Sequence, residues 1–189
     1  FREPIQLEAI TDQGLNIDEL DSLVESGLAR QADSDTYDVH DLIREFLLQS
    51  LDTQAKEELH NKAVVWYEKQ PSSSQISLEL IYHLISSSRH EDATSIIIDE
   101  GRDLVKEGHI ELLGLLESID TKSVNAEGAC RIDRLRGEVL ALLGRFDEAE
   151  EAFNQARPPA EATGLKDVIA DILSNLADIA LKRGDSESS

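Results

Sequence analysis

The chain has 189 residues, of which 39 are acidic and 18 are basic, so its formal net charge at pH 7 is −21. So acidic a surface repels phosphate backbones, which argues against binding to nucleic acid. No apolar run approaches the roughly 18 residues of a membrane-spanning helix, which argues against a membrane protein. The single cysteine cannot form an internal disulfide, so we expect a soluble protein of a reducing compartment, the cytoplasm.

Two further features of the composition bear on the origin and the extent of the chain. The acidic excess is typical of adaptation to high salt, but ordinary acidic proteins also have it, and both interpretations stay open. The sequence has no methionine and opens at Phe1 inside an apparent helix. These features indicate a fragment of a longer polypeptide.

The first part of the chain predicts a helix followed by a small hairpin. Asn16 and Glu19 have the spacing of a capping box at the start of a helix, and Gly27 is placed to end it. In the segment 28–39, apolar and polar residues alternate on both sides of a polar turn. This alternation predicts two short strands.

A further helix is predicted after the hairpin. Asp41 is placed to cap it, and three apolar residues would lie on its inner face, namely Leu42, Phe46 and Leu47. The order of elements over residues 1–51 is that of a winged-helix domain truncated at its N-terminus, with a two-stranded wing.

From residue 52 onward the pattern is helical. Helices are predicted at 55–67, 76–85, 90–105 and 109–119. A run of serines at 86–88 and a glycine at 108 separate the last three of them. Residues 120–125 form a polar connector, so we assign 52–125 to a region of helical hairpins.

The most specific pattern lies between residues 130 and 184. Four residues of one predicted helix step by three, four and three positions and form a stripe, namely Phe146, Ala149, Phe153 and Ala156. Small side chains at Gly137 and Ala149 would let two antiparallel helices approach closely, with Leu140 packed between them and Gly144 at the turn. About forty residues later the first half of this pattern recurs, as Leu173, Leu176, Ala177, Ala180 and Gly184.

A weaker version of the pattern lies upstream. It has the same spacing as the positions from 137 to 153, and its members are Ile81, Ser88, His90, Ala93 and Ile97. Helix-pair packing is therefore expected over most of the chain after residue 52.

Residues 130–184 resemble tetratricopeptide repeats with a long period of about 40 residues. One full repeat and the first helix of another match, whereas Asp133 stands where the family has an aromatic residue. The resemblance implies a mainly all-α fold, in which a truncated winged helix precedes a superhelix of α-hairpins. The expected domains are 1–51, 52–125 and 126–189.

A second resemblance comes from residues 37–51, YDVHDLIREFLLQSL. They resemble the end of the winged-helix domain of STAND-class signalling NTPases, such as the maltose-regulator-like transcription factors, with Val39-His40-Asp41 in place of a Met-His-Asp motif. The resemblance implies that His40 senses the bound nucleotide in the intact protein. The alternative is that His40 only closes the wing. The chain has no G-x-x-x-x-G-K-[ST] loop, so no cofactor is expected in this segment.

The residues with catalytic potential are scattered. The five histidines give no converging set of metal ligands, so no metal site is predicted. Cys130 has no histidine at catalytic spacing and is interpreted as a small buried residue. We therefore expect no catalytic residue in this chain.

The repeat register predicts a groove lined by polar residues of two successive helices. Arg131 and Arg134 could bind a carboxylate, and the Asn175 amide could bind a peptide backbone. The full set of groove residues is Arg131, Arg134, Glu138, Asp171, Ser174, Asn175 and Asp178. The alternative is that this side of the helices is only solvated.

The sequence thus predicts a non-catalytic scaffold that binds a protein or a peptide. One alternative is a structural spacer or a self-association module, because an exposed terminal helix at 167–182 would let two copies pair through Ile169, Ile172, Leu173 and Leu176. Another is a winged-helix DNA-binding regulator. The acidity of the predicted recognition helix disfavours it, since that helix carries Asp18, Glu19 and Asp21 and neither Arg nor Lys.

Overall fold

A computed structural model of the chain describes residues 5–12 and 14–187, with side chains described through residue 183. Within these residues ten helices account for 74% of the structure, and a small antiparallel sheet has three strands. The prediction of a mainly helical protein with a small sheet is confirmed. None of the described helices is both long and apolar enough to cross a bilayer.

The chain folds into two compact units, which are Phe1–Ser72 and Ser73–Ser189. The elements of the N-terminal unit are β1 (Ile5–Gln6), α1 (Leu7–Asp12), α2 (Ile17–Glu25), β2 (Arg30–Asp33), β3 (Thr36–Asp38), α3 (Asp41–Ser50) and α4 (Thr53–Tyr67). Those of the C-terminal unit are α5 (Ser74–Ser86), α6 (His90–Glu107), α7 (Leu112–Ser118), α8 (Ala126–Leu142), α9 (Phe146–Thr163) and α10 (Lys166–Glu187). The unit boundary thus follows α4, whereas the sequence placed a boundary after residue 51.

The start of the chain differs from the helix expected there. Phe1 lies outside the described residues, and the first described helix begins at Leu7. Before it, Ile5 pairs with Tyr37 of β3, so the strand order is β1-β3-β2 and the predicted two-stranded wing has a third strand. A strand of two residues is too short to leave an alternating pattern, which is why the sequence does not reveal it.

Helix α2 begins with the capping box that its sequence predicts. The Asn16 side chain accepts a hydrogen bond from the Glu19 backbone N–H at 2.9 Å, and the Glu19 carboxylate accepts one from the Asn16 N–H at 3.0 Å. Beyond the helix, Gly27 has a φ of 73°. Glycine populates that left-handed region without steric cost, so the chain can turn there toward β2.

Helix α3 differs from its prediction in two respects. Its N-cap is His40, whose Nδ1 accepts a hydrogen bond from the Leu42 N–H at 3.3 Å, while Asp41 is the first helical residue. Its apolar side chains do not form an inner face, since Leu42, Phe46 and Leu47 are 70%, 69% and 50% exposed. Helical spacing shows which side chains share a face, but it does not show which element covers that face.

The C-terminal unit has a continuous apolar core to which all six of its helices contribute. One fully buried side chain from each helix, in chain order, is Leu78, Ile97, Leu116, Leu135, Phe153 and Ile172. Helix α10 runs through Gly184 to Glu187, so the turn predicted at Gly184 is not formed.

Two hairpins in this unit have the same local structure. Ser88 and Gly144, which are 56 residues apart, both lie in the left-handed region, with φ values of 61° and 74°. In each turn the following arginine donates its backbone N–H to a carbonyl five residues earlier at 2.9 Å. The second helices, α6 and α9, each have 18 residues and end at a left-handed glycine. The hairpins α5/α6 and α8/α9 are therefore alike in their turns and in the length of their second helices.

Within the second hairpin, α8/α9, Gly137 of α8 lies directly against Phe153 of α9. A Cβ atom built on Gly137 would be 2.6 Å from the Phe153 ring, and the ring is fully buried. Real Cβ atoms do not approach a ring so closely, so α8 can lie against this ring only because residue 137 has no side chain.

We predict that Gly137→Ala lowers the free energy of unfolding by about 1–3 kcal/mol, because the enclosed ring has no room to move away. Gly114→Ala is the matched control, since Gly114 lies in helix α7 and has nothing within 4 Å of the added Cβ. That change should raise stability by about 0.5–1 kcal/mol through helix propensity. Urea unfolding measures both, and equal effects would contradict the assigned contact.

The first hairpin contains a buried polar pair at positions that are apolar in the second. Glu79 and His83 are one turn apart on α5, their side chains are each 2% exposed, and Oε2 and Nε2 are 3.8 Å apart. The equivalent positions, 56 residues later, are the buried Leu135 and Val139. The two hairpins thus bury side chains of different polarity at these matching positions.

We predict that the double change Glu79→Leu with His83→Val keeps or raises stability, because replacing both partners of a buried polar pair by apolar side chains is often neutral or stabilising. Glu79→Leu alone should lower stability by about 1–3 kcal/mol, since it removes a polar neighbour of the buried imidazole. Thermal unfolding followed by circular dichroism measures both. A double variant less stable than the single one would contradict this prediction.

Candidate partner-binding surface

Arg134 of the predicted groove is 5% exposed and lies in a cluster of charges from three helices. It forms ion pairs with Glu138, one turn along α8, and with Asp171 of α10, the latter at 3.7 Å. Arg102 of α6 also forms an ion pair with Asp171. We call these four residues the Arg–Asp cluster.

The electrostatics of the cluster follow from its burial. Burial lowers the pKa of the Arg134 guanidinium from its ordinary value, the neighbouring Glu138 carboxylate raises it, and the nearby Arg102 and Arg131 lower it. Three arginines lie close together here because carboxylates of α8 and α10 separate them. The cluster thus joins α6, α8 and α10 through charges that are already matched.

The second arginine of the predicted groove is also paired within the chain. Arg131 donates from Nε to Glu127 and from Nη1 to Asp167 of α10, each at 2.9 Å. The hydrogen bond from Arg131 holds the pKa of the Asp167 carboxyl below its ordinary value. A partner carboxylate at Arg131 or Arg134 would therefore have to share the guanidinium with an internal carboxylate or displace it.

The remaining groove residues lie on α10. The Asn175 amide donates to the Asp171 carbonyl at 2.9 Å, so its N–H group contacts its own helix. Ser174 and Asp178 are exposed. Of the seven predicted groove residues, these two present their side chains most openly to a partner.

The four side chains predicted to support self-association are mostly covered. Ile172 is fully buried, and Ile169 and Leu176 are partly buried against the core. Only Leu173 is clearly exposed, at 47%. The core of the C-terminal unit itself thus takes up most of the apolar surface that the dimer prediction relied on.

His40 lies on the surface of the N-terminal unit, at the junction of β3 and α3. Its ring caps α3, as described above, and its side chain is exposed. Next to it, Arg44 donates to Asp38 at 3.0 Å and to Asp41 at 2.9 Å. The hydrogen bond from Arg30 and the charge of Arg44 hold the pKa of Asp38 below its ordinary value.

Cys130 has the buried position that its sequence context predicts. Its Sγ donates to the Ala156 carbonyl at 3.1 Å, and burial raises the pKa of the thiol. A thiol with a raised pKa has little thiolate at neutral pH and is a weak nucleophile. Across the part of the chain that the structure describes, no three His, Cys, Asp or Glu side chains are placed to hold a metal ion.

The sequence holds a partial signal for the internal pairing of the groove arginines. Glu127 and Arg131, and likewise Arg134 and Glu138, are four residues apart, which is the spacing of ion pairs along a helix. The ion pairs Arg102–Asp171 and Arg131–Asp167 have no such signal, because each joins two helices that are far apart in the chain.

Comparison of the chain with protein-family models, with curated proteins and with solved structures gave no match. Function is therefore inferred from the helices and side chains described above.

We predict that Asp171→Asn lowers the free energy of unfolding by about 1–3 kcal/mol, because it removes the carboxylate between Arg102 and Arg134. Asp178→Asn removes the same charge from an exposed position of the same helix and should change stability by less than about 0.5 kcal/mol. Chemical unfolding at low salt measures the difference. An equal effect of the two changes would show that the Arg–Asp cluster does not join these helices.

Proposed function

We propose that this chain is a non-catalytic scaffold that binds other proteins or peptides. Following the two resemblances, we further propose that its C-terminal unit is built from tetratricopeptide-like repeats. The whole would belong to a larger signalling ATPase of the STAND class, in which His40 would contact the nucleotide held by another module.

The observation that carries the scaffold proposal is the likeness between the hairpins α5/α6 and α8/α9. Equal turn geometry, equal length of the second helix and burial at matching positions are typical of a stacked array. Arrays of this kind bury one side of each helix against its neighbours and present long polar surfaces, which bind other proteins.

The charge distribution favours the outward surface of α10 as the binding surface. The Arg–Asp cluster holds α8 and α10 side by side, so the outward residues of α10 lie on a supported helix rather than on a loop. Asp178 and Ser174 are exposed there. A chain with a net charge of −21 attracts basic partners and repels acidic ones, so we propose a partner segment with lysine or arginine.

The chemistry of Cys130 also favours binding over catalysis. A buried thiol with a raised pKa that donates to a backbone carbonyl suits a packing role. A catalytic cysteine needs a lowered pKa and access for its substrate.

A display library of random linear peptides, panned on the immobilised chain, tests the scaffold proposal. We expect enrichment of basic peptides whose affinity falls about tenfold or more for Asp178→Arg, because the change reverses the charge on the proposed surface. Glu151→Arg is the control, since Glu151 is an exposed residue of α9 and the substitution makes the same change in net charge at another place. Titration calorimetry measures the affinities. An equal loss for the two variants, or no enrichment at all, would refute the proposal.

A further inference from the structure

Helices α8 and α10 present matching residues to the core. Ile132 and Ile172, which are 40 residues apart, are both fully buried, and Val139 and Ile179 at the same offset are 0% and 3% exposed. The two helices therefore use the same side to face the interior. Their other sides can be compared position by position.

On α8 that other side is covered by α9. Gly137 lies against the Phe153 ring, and Cys130 donates to the Ala156 carbonyl. On α10 the equivalent positions, Ala177 and Ala170, are exposed. They belong to a run of exposed apolar residues, here called the α10 stripe, which consists of Ala170, Leu173, Ala177, Ala180 and Leu181.

We propose that the α10 stripe binds an amphipathic helix of a partner protein, and that this helix is flanked by basic residues. The inference rests on the proposed scaffold function and assigns to it a surface and an occupant. The contact between α8 and α9 is an example of such binding within the chain. There α9, whose apolar residues step by 3, 4 and 3 positions, covers the equivalent side of α8.

Charge complementarity selects a basic occupant. Asp167, Asp171 and Asp178 are four and seven residues apart, so they lie along one edge of α10 beside the stripe. Asp167 and Asp171 are held by Arg131 and Arg102, and Asp178 is exposed. An incoming lysine or arginine would meet Asp178 directly and would also be attracted by the acidic chain as a whole.

The shape of the stripe restricts the apolar residues of the occupant. The Phe153 ring occupies the space that a Cβ on Gly137 would need, whereas Ala177 has a Cβ at the equivalent position. An aromatic ring in the same register is therefore excluded, and a Leu or Ile side chain is expected opposite Ala177. Leu173 stands where α8 has Asp133, and it offers apolar surface where α8 has a carboxylate.

A second copy of the chain is the less suitable occupant. Two copies would bring net charges of −21 together. If they paired antiparallel through α10, the acidic edge of one copy would also lie beside that of the other. The charges thus favour a basic partner over self-association.

The probe for this proposal is a synthetic 18-residue helix with the apolar pattern of α9, leucine in place of Phe153, and lysine at the flanking polar positions. A second peptide carries glutamate at those positions. We expect micromolar binding of the lysine peptide, at least about tenfold weaker binding of the glutamate peptide, and weaker binding at high salt.

Leu173→Ser should weaken binding of the lysine peptide by about tenfold, because the leucine side chain that the peptide would bury is lost. Leu142→Ser is the matched control, since Leu142 is 54% exposed and lies outside the stripe. Fluorescence anisotropy measures binding, and circular dichroism checks that both variants fold.

Equal binding to both variants, or equal binding of both peptides, would overturn the proposal. A dimer detected by light scattering would also overturn the proposal if Leu173→Ser dissociated it, because a second copy of the chain would then occupy the stripe. If the probe fails while display-selected peptides still depend on Asp178, the scaffold function stands and only the helical occupant is removed.

Discussion

The C-terminal unit depends on a contact in which one partner has no side chain. At Gly137 the backbone of α8 lies directly against the Phe153 ring of α9, and even a single added methyl group would overlap that ring. The close approach lets the Cys130 thiol reach the Ala156 carbonyl. Because the two helices are held so closely, the outward side of α8 is sealed. The equivalent side of α10, with Ala177 at its centre, is exposed in the described structure.

Charge organises the contacts of α8 with α6 and α10. The chain has more than twice as many acidic as basic residues, yet Arg102 and Arg134 lie beside one another with Asp171 between them. Like charges can lie so close only if carboxylates separate them. These arginines are therefore paired with carboxylates of the same chain, and the surface left for a partner is acidic. This arrangement makes a basic partner the natural complement of α10.

Much of the helical architecture could be predicted from local patterns. The capping box at Asn16 and Glu19, and the left-handed turns at Gly108 and Gly144, depend on residues within a few positions of each other. The contacts of the groove residues were harder to predict. The pairing of Arg131 with Asp167, and that of Arg102 with Asp171, join helices far apart in the chain. The spacing of Glu127 and Arg131 indicates one local ion pair, but no local pattern indicates these contacts between helices.

The sequence by itself determined local features such as the capping box of α2, because backbone hydrogen bonding acts between near neighbours. The lack of a side chain at Gly137 also predicted a close contact with another helix. Only the tertiary structure decided which faces are covered. Leu42 and Phe46 have the spacing of an inner face but are exposed, whereas Arg134 has the polarity of a surface residue but is buried. Burial depends on which elements meet in space, and their meeting is decided by packing across the whole unit rather than by any one segment.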